Sequence, residues 1–362
     1  MAYDKNFLGK NGFFWFNGVV EDRNDPLKAG RYKVRCLGYH TDNKEVLPTS
    51  DLPWSLCVLS LDSPGISGLG TSPAFLVEGS WVYGYFRDGE ECQEPVILGV
   101  LPGIPSEYGK PSGGFNDPTP REDNNEISNY PREINEPDTN RLAVNNEDKI
   151  HASLQARREA RVTGIPTADF DAVNQAAGSA GDTWNEPQDT YNTVYPYNKV
   201  TEYESGHIVE FDDTKDNERI HIRHKTGTST ELLPNGDKVT LVKGSDYTIT
   251  TDKRQAFIQG DCDLTVDGRS KIYINKSGVS GNHYDIQVGP GASVNIQVDN
   301  GDVNVVTKTG NMNMEVGNDM NINVGGNLNL DVRGNKSETI NGSKTSSTKG
   351  NVQHRGARID LN

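Results

Sequence analysis

The sequence predicts an all-β chain in two parts, a small N-terminal barrel and a C-terminal β-helix, joined by a linker. Three observations predict it. Short β-rich runs crowd residues 1–105, a stretch dense in Pro, Gly and Asn follows, and beyond residue 200 a Gly, Asn or Asp recurs every eight residues with apolar side chains at alternate positions between.

Composition sets the limits. Of 362 residues only 33% are apolar and 38 are glycine, too few core-formers for an ordinary single-chain core throughout. A net charge of −15 and a pI near 4.9 disfavour a nucleic-acid partner, whose phosphates are met by Lys and Arg. Cys36, Cys57, Cys92 and Cys262 are far apart and form no CxxC or Cys/His spacing. They read as buried thiols in a protein made in a reducing cytoplasm, with no zinc site, disulfide scaffold or cofactor expected. No basic region followed by an apolar run opens the chain, and no later run approaches the roughly 18 apolar residues of a membrane span.

The first part, residues 1–105, contains "WFNGVV" (15–20), "RYKVRCLGY" (31–39), "WSLCVLSL" (54–61), "GSWVYGYF" (79–86) and "PVILGVL" (95–101). About five strands with Gly-rich connections fit an OB-fold, a closed barrel without sheet edges, or else a small open sandwich. Trp15, Trp54 and Trp81 are available to stack bases, but residues 1–130 hold 11 Lys/Arg against 18 Asp/Glu, so a core or subunit-contact role is expected of them. "GISGLG" (65–70) matches neither phosphate-loop spacing and reads as a barrel loop.

Residues 106–197 have linker composition, unable to bury enough apolar surface to offset their ordering entropy. Two short helices are predicted within them, over 145–164 and over 168–178 behind a Thr167 cap. Arg157, Arg158 and Arg161 read as a solvated helix face, with docking to an acidic surface as the alternative. Glu133, Glu136 and Asp138 read as solvent-facing charges, because a glycosidase needs two carboxylates held in a cleft.

The last part, residues 198–362, is governed by the octad. One series of corners runs Gly236, Gly244, Asp252, Gly260 and Gly268; a second runs Asp302, Gly310, Asn318, Gly326, Gly334, Gly342 and Gly350. These residue types accept a left-handed backbone most readily, which predicts a turn at each. Between corners, Met312, Met314, Val316, Met320, Ile322, Val324, Leu328, Leu330 and Val332 alternate with polar residues such as Asn321, Asn323, Asn329 and Asp331. That pattern is the signature of a β-helix or solenoid with an apolar lumen. Three octads of one chain can make a triangular coil, or one octad from each of three chains can do so; the low apolar content leans toward the second. At the same inward positions farther on stand Lys336, Glu338 and Ile340, then Lys344, Ser346 and Thr348, which predicts a hydrated lumen there, with ions as candidate occupants. His221 and His224 are separated by three positions, so on a strand they face opposite ways and make a poor metal pair. No aromatic residue occurs in 285–362, which disfavours a polysaccharide-processing solenoid.

Several stretches resemble the central spike proteins of T-even-type contractile phage baseplates, relatives of the valine-glycine-repeat spikes of type VI secretion. They are "DPLKAGRYKVRCLGYH", "LPWSLCVLSLDSPGISGLGTSPAFLVEGSWVYGYFRDGEECQEPVILG", "YPYNKVTEYESGHIVEFDDTKDNERIHIRHKTGTSTELLPNGDKVTLVKGSDY" and the octads, so the resemblance spans about residues 14–103 and 195–362. It implies an N-terminal OB-fold barrel docked on a baseplate hub protein. An intertwined trimeric β-helix with eight-residue repeats would follow, acting as the needle that pierces the host outer membrane as the tail contracts. A virion location in the tail baseplate, assembly in the host cytoplasm and a separate PAAR-type tip protein are implied as well. The chain departs from the T-even pattern between Gly103 and Tyr195, where the linker leaves no room for a lysozyme domain, so no catalysis is expected. His354 alone near the C-terminus does not make the His-x-His of a self-closed metal tip, and a type VI secretion-like spike is the alternative within the resemblance.

Overall fold

The computed structural model describes residues 12–72, 75–110, 112–117, 134–145, 190–266, 268–275, 278, 281 and 283–359, in two compact units, Met1–Ile272 and Tyr273–Asn362. Apart from Asn145, the two predicted linker helices lie outside the described residues, as do Arg157, Arg158, Arg161 and Glu133.

The first five strands are β1 (Phe14–Asp22), β2 (Tyr32–Cys36), β3 (Trp54–Cys57), β4 (Trp81–Phe86) and β5 (Pro95–Val100). They close into a barrel in the order β1-β2-β3-β5-β4, with β1 pairing β4 and with β3 and β5 parallel, which decides for the OB-type barrel against the open sandwich. Phe16, Val20, Tyr32, Val34, Cys36, Val82, Phe86 and Ile97 fill it. Two glycines permit closure. A Cβ on Gly18 would stand 2.6 Å from the Arg35 carbonyl oxygen, and one on Gly84 would stand 2.1 Å from that of Val96, so neighbouring strands pass where no side chain fits.

A fully buried ion pair braces this barrel. Arg35 Nε donates to Glu21 Oε1 at 2.6 Å and Nη2 to Oε2 at 3.1 Å, while the guanidinium also donates to the carbonyls of Thr41 and Leu47 and Thr49 Oγ1 donates to Glu21. The long β2–β3 connection is thereby tied to β1. Asp25 organises the β1–β2 loop by accepting from the backbone of Leu27, Ala29 and Arg31 and from the Arg31 guanidinium, which holds its carboxyl well below the usual range.

The structure decides between the expectations for several residues, and for the tryptophans it removes the core role and leaves the subunit contact open. Trp15 is exposed, and Trp54 and Trp81 are half-buried outside the barrel core, because each points outward on its strand. Of the four cysteines, Cys36 is buried and its thiol pushed up by burial, Cys57 and Cys92 are half-buried, and Cys262 is exposed in its octad. Glu136, expected to face solvent, is buried and paired with Arg141 at 2.7 Å, whereas Asp138 is exposed as expected and accepts from the Gly103 amide.

Residues 198–241, expected to belong to the octad needle, instead form an antiparallel meander: β6 (Asn198–Glu202), β7 (Ile208–Asp212), β8 (Arg219–Arg223), β9 (Ser229–Leu232) and β10 (Lys238–Leu241). Hairpin turns with left-handed residues at Gly206, Asp216, Gly227 and Gly236 fold each strand back on the last. Gly236 therefore closes the β9–β10 hairpin, and its eight-residue distance from Gly244 joins two different kinds of turn.

Candidate interaction surfaces

Three surfaces stand out, each from the way its strands alternate. On the barrel, Phe13 and Trp15 of the β1 edge lie beside Tyr83 and Tyr85 of β4. The Trp15 and Tyr83 rings stack 5.3 Å apart with a 5° interplanar angle, and Phe13 meets Trp15 and Tyr85 at 5.2 and 5.6 Å. Trp15 remains 45% exposed, so this is an aromatic platform on the outside of a closed barrel. Aromatic residues in such a cluster are the usual anchors of protein–protein contacts.

The meander reverses the usual arrangement of its two faces. Positions 198, 208, 210, 212, 219, 221 and 223 point to one face, where Glu210 accepts from Arg219, Asn198 and His221 and where Arg219 also donates to Glu231. The chain's own linker seals that face: Tyr191 lies under the Arg219 guanidinium and donates to the Leu142 carbonyl, and Thr193 donates to Asp212. These hydrogen bonds and ion pairs offset part of the cost of burying the charges. The other face carries Phe211, Ile220 and Leu232 in one cross-strand row and Val209, Ile222 and Thr230 in the next. Phe211 is 48% and Ile222 is 52% exposed, so apolar side chains lie open while charged ones lie inside. Arg23 and Phe75 of the barrel side meet Glu204 and Tyr203 at the end of the meander.

The octads form the third surface. Bends fall at 243–244, 251–252, 259–260, 317–318, 325–326, 333–334, 341–342 and 349–350, with six residues in neither strand nor turn between successive bends in each series. Gly268 and Gly310 also stand at bends, and Asp302 comes directly after the bend at 299–301. Among the described residues no strand pairing occurs within the chain beyond Leu241, and every described residue from Gly244 to Ile359 except the half-buried Asn275 is exposed. The nine apolar positions from Met312 to Val332 are among them. The reason expected for glycine at the corners is corrected: of both corner series only Gly236 has a left-handed backbone, and a Cβ at Gly244, Gly260, Gly268, Gly326, Gly334, Gly342 or Gly350 would meet nothing within 4 Å.

Lys336 and Lys344 share one carboxylate, Glu338, at 3.3 and 2.8 Å. The hydrogen bond from Lys344, then that from Lys336, holds the Glu338 carboxyl below its ordinary range. Ser346 lies on the next octad position of the same face. Elsewhere His221 is buried against Glu210, while His224 is exposed and bonded to Thr226, so the two do not meet. No group of three potential metal-ligating side chains occurs among the described residues, and no helix there is long and apolar enough to cross a membrane.

The barrel platform, the buried meander network and the Glu21–Arg35 pair were not singled out from sequence. "IVEFD" and "RIHIR" do carry the alternation, but only the linker residues packed on one side decide which set lies inside.

A sequence family described as the Gp5 N-terminal OB domain matches residues 38–192. Protein Gp5 of Vibrio phage KVP40 is 39% identical over 297 residues, covering 75% of this chain and 67% of that protein. The pre-baseplate central spike protein Gp5 of Enterobacteria phage T4 is 39% identical over 137 residues, 36% of this chain and 22% of that protein. With the OB-type barrel in place, the chain belongs to the Gp5 family of T4-like phage baseplate central spike proteins, and its place is in the baseplate of the virion.

Proposed function

We propose that three copies of this chain assemble into a spike whose octads wind together as a β-helix, and that this spike breaches the host outer membrane when the tail contracts. One observation carries the reading: regularly bent octads with exposed apolar side chains at alternate positions but no strand partner in their own chain among the described residues. Unpaired backbone and open apolar faces of this length call for other strands. A single-chain solenoid would supply them internally, and no such ladder forms among the described residues. Two further copies supply them with the same period and leave Met312 to Val332 inside. The shaft is then a stiff, fully hydrogen-bonded prism suited to transmitting axial force.

In this reading the barrel's aromatic platform meets a hub protein of the baseplate, a PAAR-type protein caps the C-terminal end, and assembly takes place in the host cytoplasm. The role is mechanical, without catalysis. Sedimentation of the purified chain with electron microscopy tests the reading: a particle of three chain masses with a slender shaft is expected, and a monomer at micromolar concentration would overturn it.

A further inference from the structure

We propose that the apolar face of the β6–β10 meander is where copies of this chain first associate, and that it sets the register in which their octads wind. The inference rests on the trimeric reading and adds to it a starting point.

The apolar octads set their own register only weakly. Met312/Met314/Val316, Met320/Ile322/Val324 and Leu328/Leu330/Val332 repeat at a distance of eight, so sliding one chain by a whole octad returns apolar residues to apolar positions. Strand register is well specified only where a slip brings unlike side chains together, and within these three octads this slip does not; only at their boundary does it set Leu328 and Leu330 against Lys336 and Glu338. An element outside the repeat that comes before the octads in the chain would fix it before those charged positions meet. The irregular stretch between the two octad blocks also breaks the period, but it has no paired strands among its described residues.

The meander is such an element. Its five strands hydrogen-bond to one another, so it needs no second chain to form. The Glu210, Arg219 and His221 network, sealed by Leu142, Tyr191 and Thr193, prevents the sheet from turning over, so Phe211, Ile220, Ile222 and Leu232 face outward before any partner arrives. In one outward row the order across the sheet is Lys199, Phe211, Ile220, Leu232 and Lys238, an apolar centre between two lysines. Lysines at both edges discourage edge-to-edge pairing and leave the face as the means of association.

The segment immediately after the meander identifies the occupant as a copy of this chain. Leu241 ends β10, and the first octad bend comes at 243–244, beyond which no strand partner occurs among the described residues of this chain. Whatever chain pairs with the first octad must already run beside the meander. Apolar faces meeting there would bring three identical starting points to one level, and winding would proceed toward the C-terminus.

The test uses the full chain refolded from denaturant. Phe211→Ser/Ile222→Thr, placed on exposed positions of an intact sheet, should slow trimer formation at least tenfold by sedimentation or native gel and yield shafts of mixed register, seen as uneven ends by electron microscopy. Leu330→Ser, deep in the octads, should leave the early association rate unchanged and weaken only the shaft. Hydrogen exchange over 198–241 reports whether the meander has formed; if the double variant loses that protection as a monomer, the milder Ile222→Thr alone is read, with a slower rate again expected. Trimers forming at the unaltered rate with even ends in Phe211→Ser/Ile222→Thr would overturn the proposal. An unaltered chain that stays monomeric would overturn the trimeric reading instead.

Discussion

Truncating Leu330 to alanine tests the inward assignment of the octads through a magnitude that the single chain already bounds. In one chain Leu330 is 71% exposed, so most of its surface is available for other chains to cover. Complete burial of a leucine side chain stabilises by about 1.5–3 kcal/mol, and about seven-tenths of that, roughly 1–2 kcal/mol, is what neighbouring chains can contribute per copy. Alanine forfeits this and leaves a void, so about 2–5 kcal/mol is lost per chain. In the proposed trimer the substitution occurs three times at one level, and even the low end gives roughly 6 kcal/mol per trimer. Heating or denaturant, followed by far-ultraviolet circular dichroism and by retention of the trimer on gels, should show the shaft melting earlier. The barrel's own transition, with its separate core around Phe16, Val20 and Ile97, serves as an internal reference. Asn329→Ala, one position away and on the opposite face, should change stability by less than about 0.5 kcal/mol. Equal losses for Leu330→Ala and Asn329→Ala would refute the assignment of alternate positions to inside and outside.

Three other outcomes are expected. Gly326→Ala adds a Cβ that meets nothing within 4 Å in its own chain, so any destabilisation must come from another chain passing the corner; about 1–3 kcal/mol per copy is expected from overpacking, and a more stable shaft would show the corner to be open. Glu21→Ala leaves Arg35 charged in the barrel wall and should cost about 3–5 kcal/mol of barrel stability, read from the denaturant midpoint of tryptophan fluorescence, with Arg35→Met added to it recovering part of the loss; a cost under about 1 kcal/mol would mean that the pair is not closed to solvent. The lowered Glu338 carboxyl contributes fully above its ordinary unfolded value, and its contribution is lost as the pH falls through the lowered folded one, so protease resistance around 335–348 should decline below about pH 4 in the native chain and stay flat there in Glu338→Gln.

How much could be read from sequence depends on the distance over which each feature is determined. The five barrel runs were legible because alternation and turn residues are local, and each lies within a few residues of its strand. That β3 pairs with β5 in parallel was not, since nothing near Trp54 or Pro95 records it. The octad spacing was legible because it is repeated, yet the repetition misled in two ways. Gly236 and Gly244 share the spacing but only Gly236 turns through a left-handed backbone, so period alone did not distinguish a hairpin from a bend. Glycine at the other corners was assigned to that same backbone, whereas neither backbone nor neighbouring atoms within the chain require it.

Charged residues misled for a related reason. Glu136, Glu210 and Arg219 look like surface residues in any local window, and each is buried. For the meander, the deciding contacts come from Leu142 and Tyr191, far upstream of the strands they cover. Because those contacts place the charges inside, the apolar half of the same strands is left facing out. The same inversion recurs in the octads, where Met312 to Val332 are exposed in a chain too poor in apolar residues to waste them on solvent. In the proposed trimer both have one physical cause, that much of this chain's apolar surface is arranged for contacts with other copies rather than within itself.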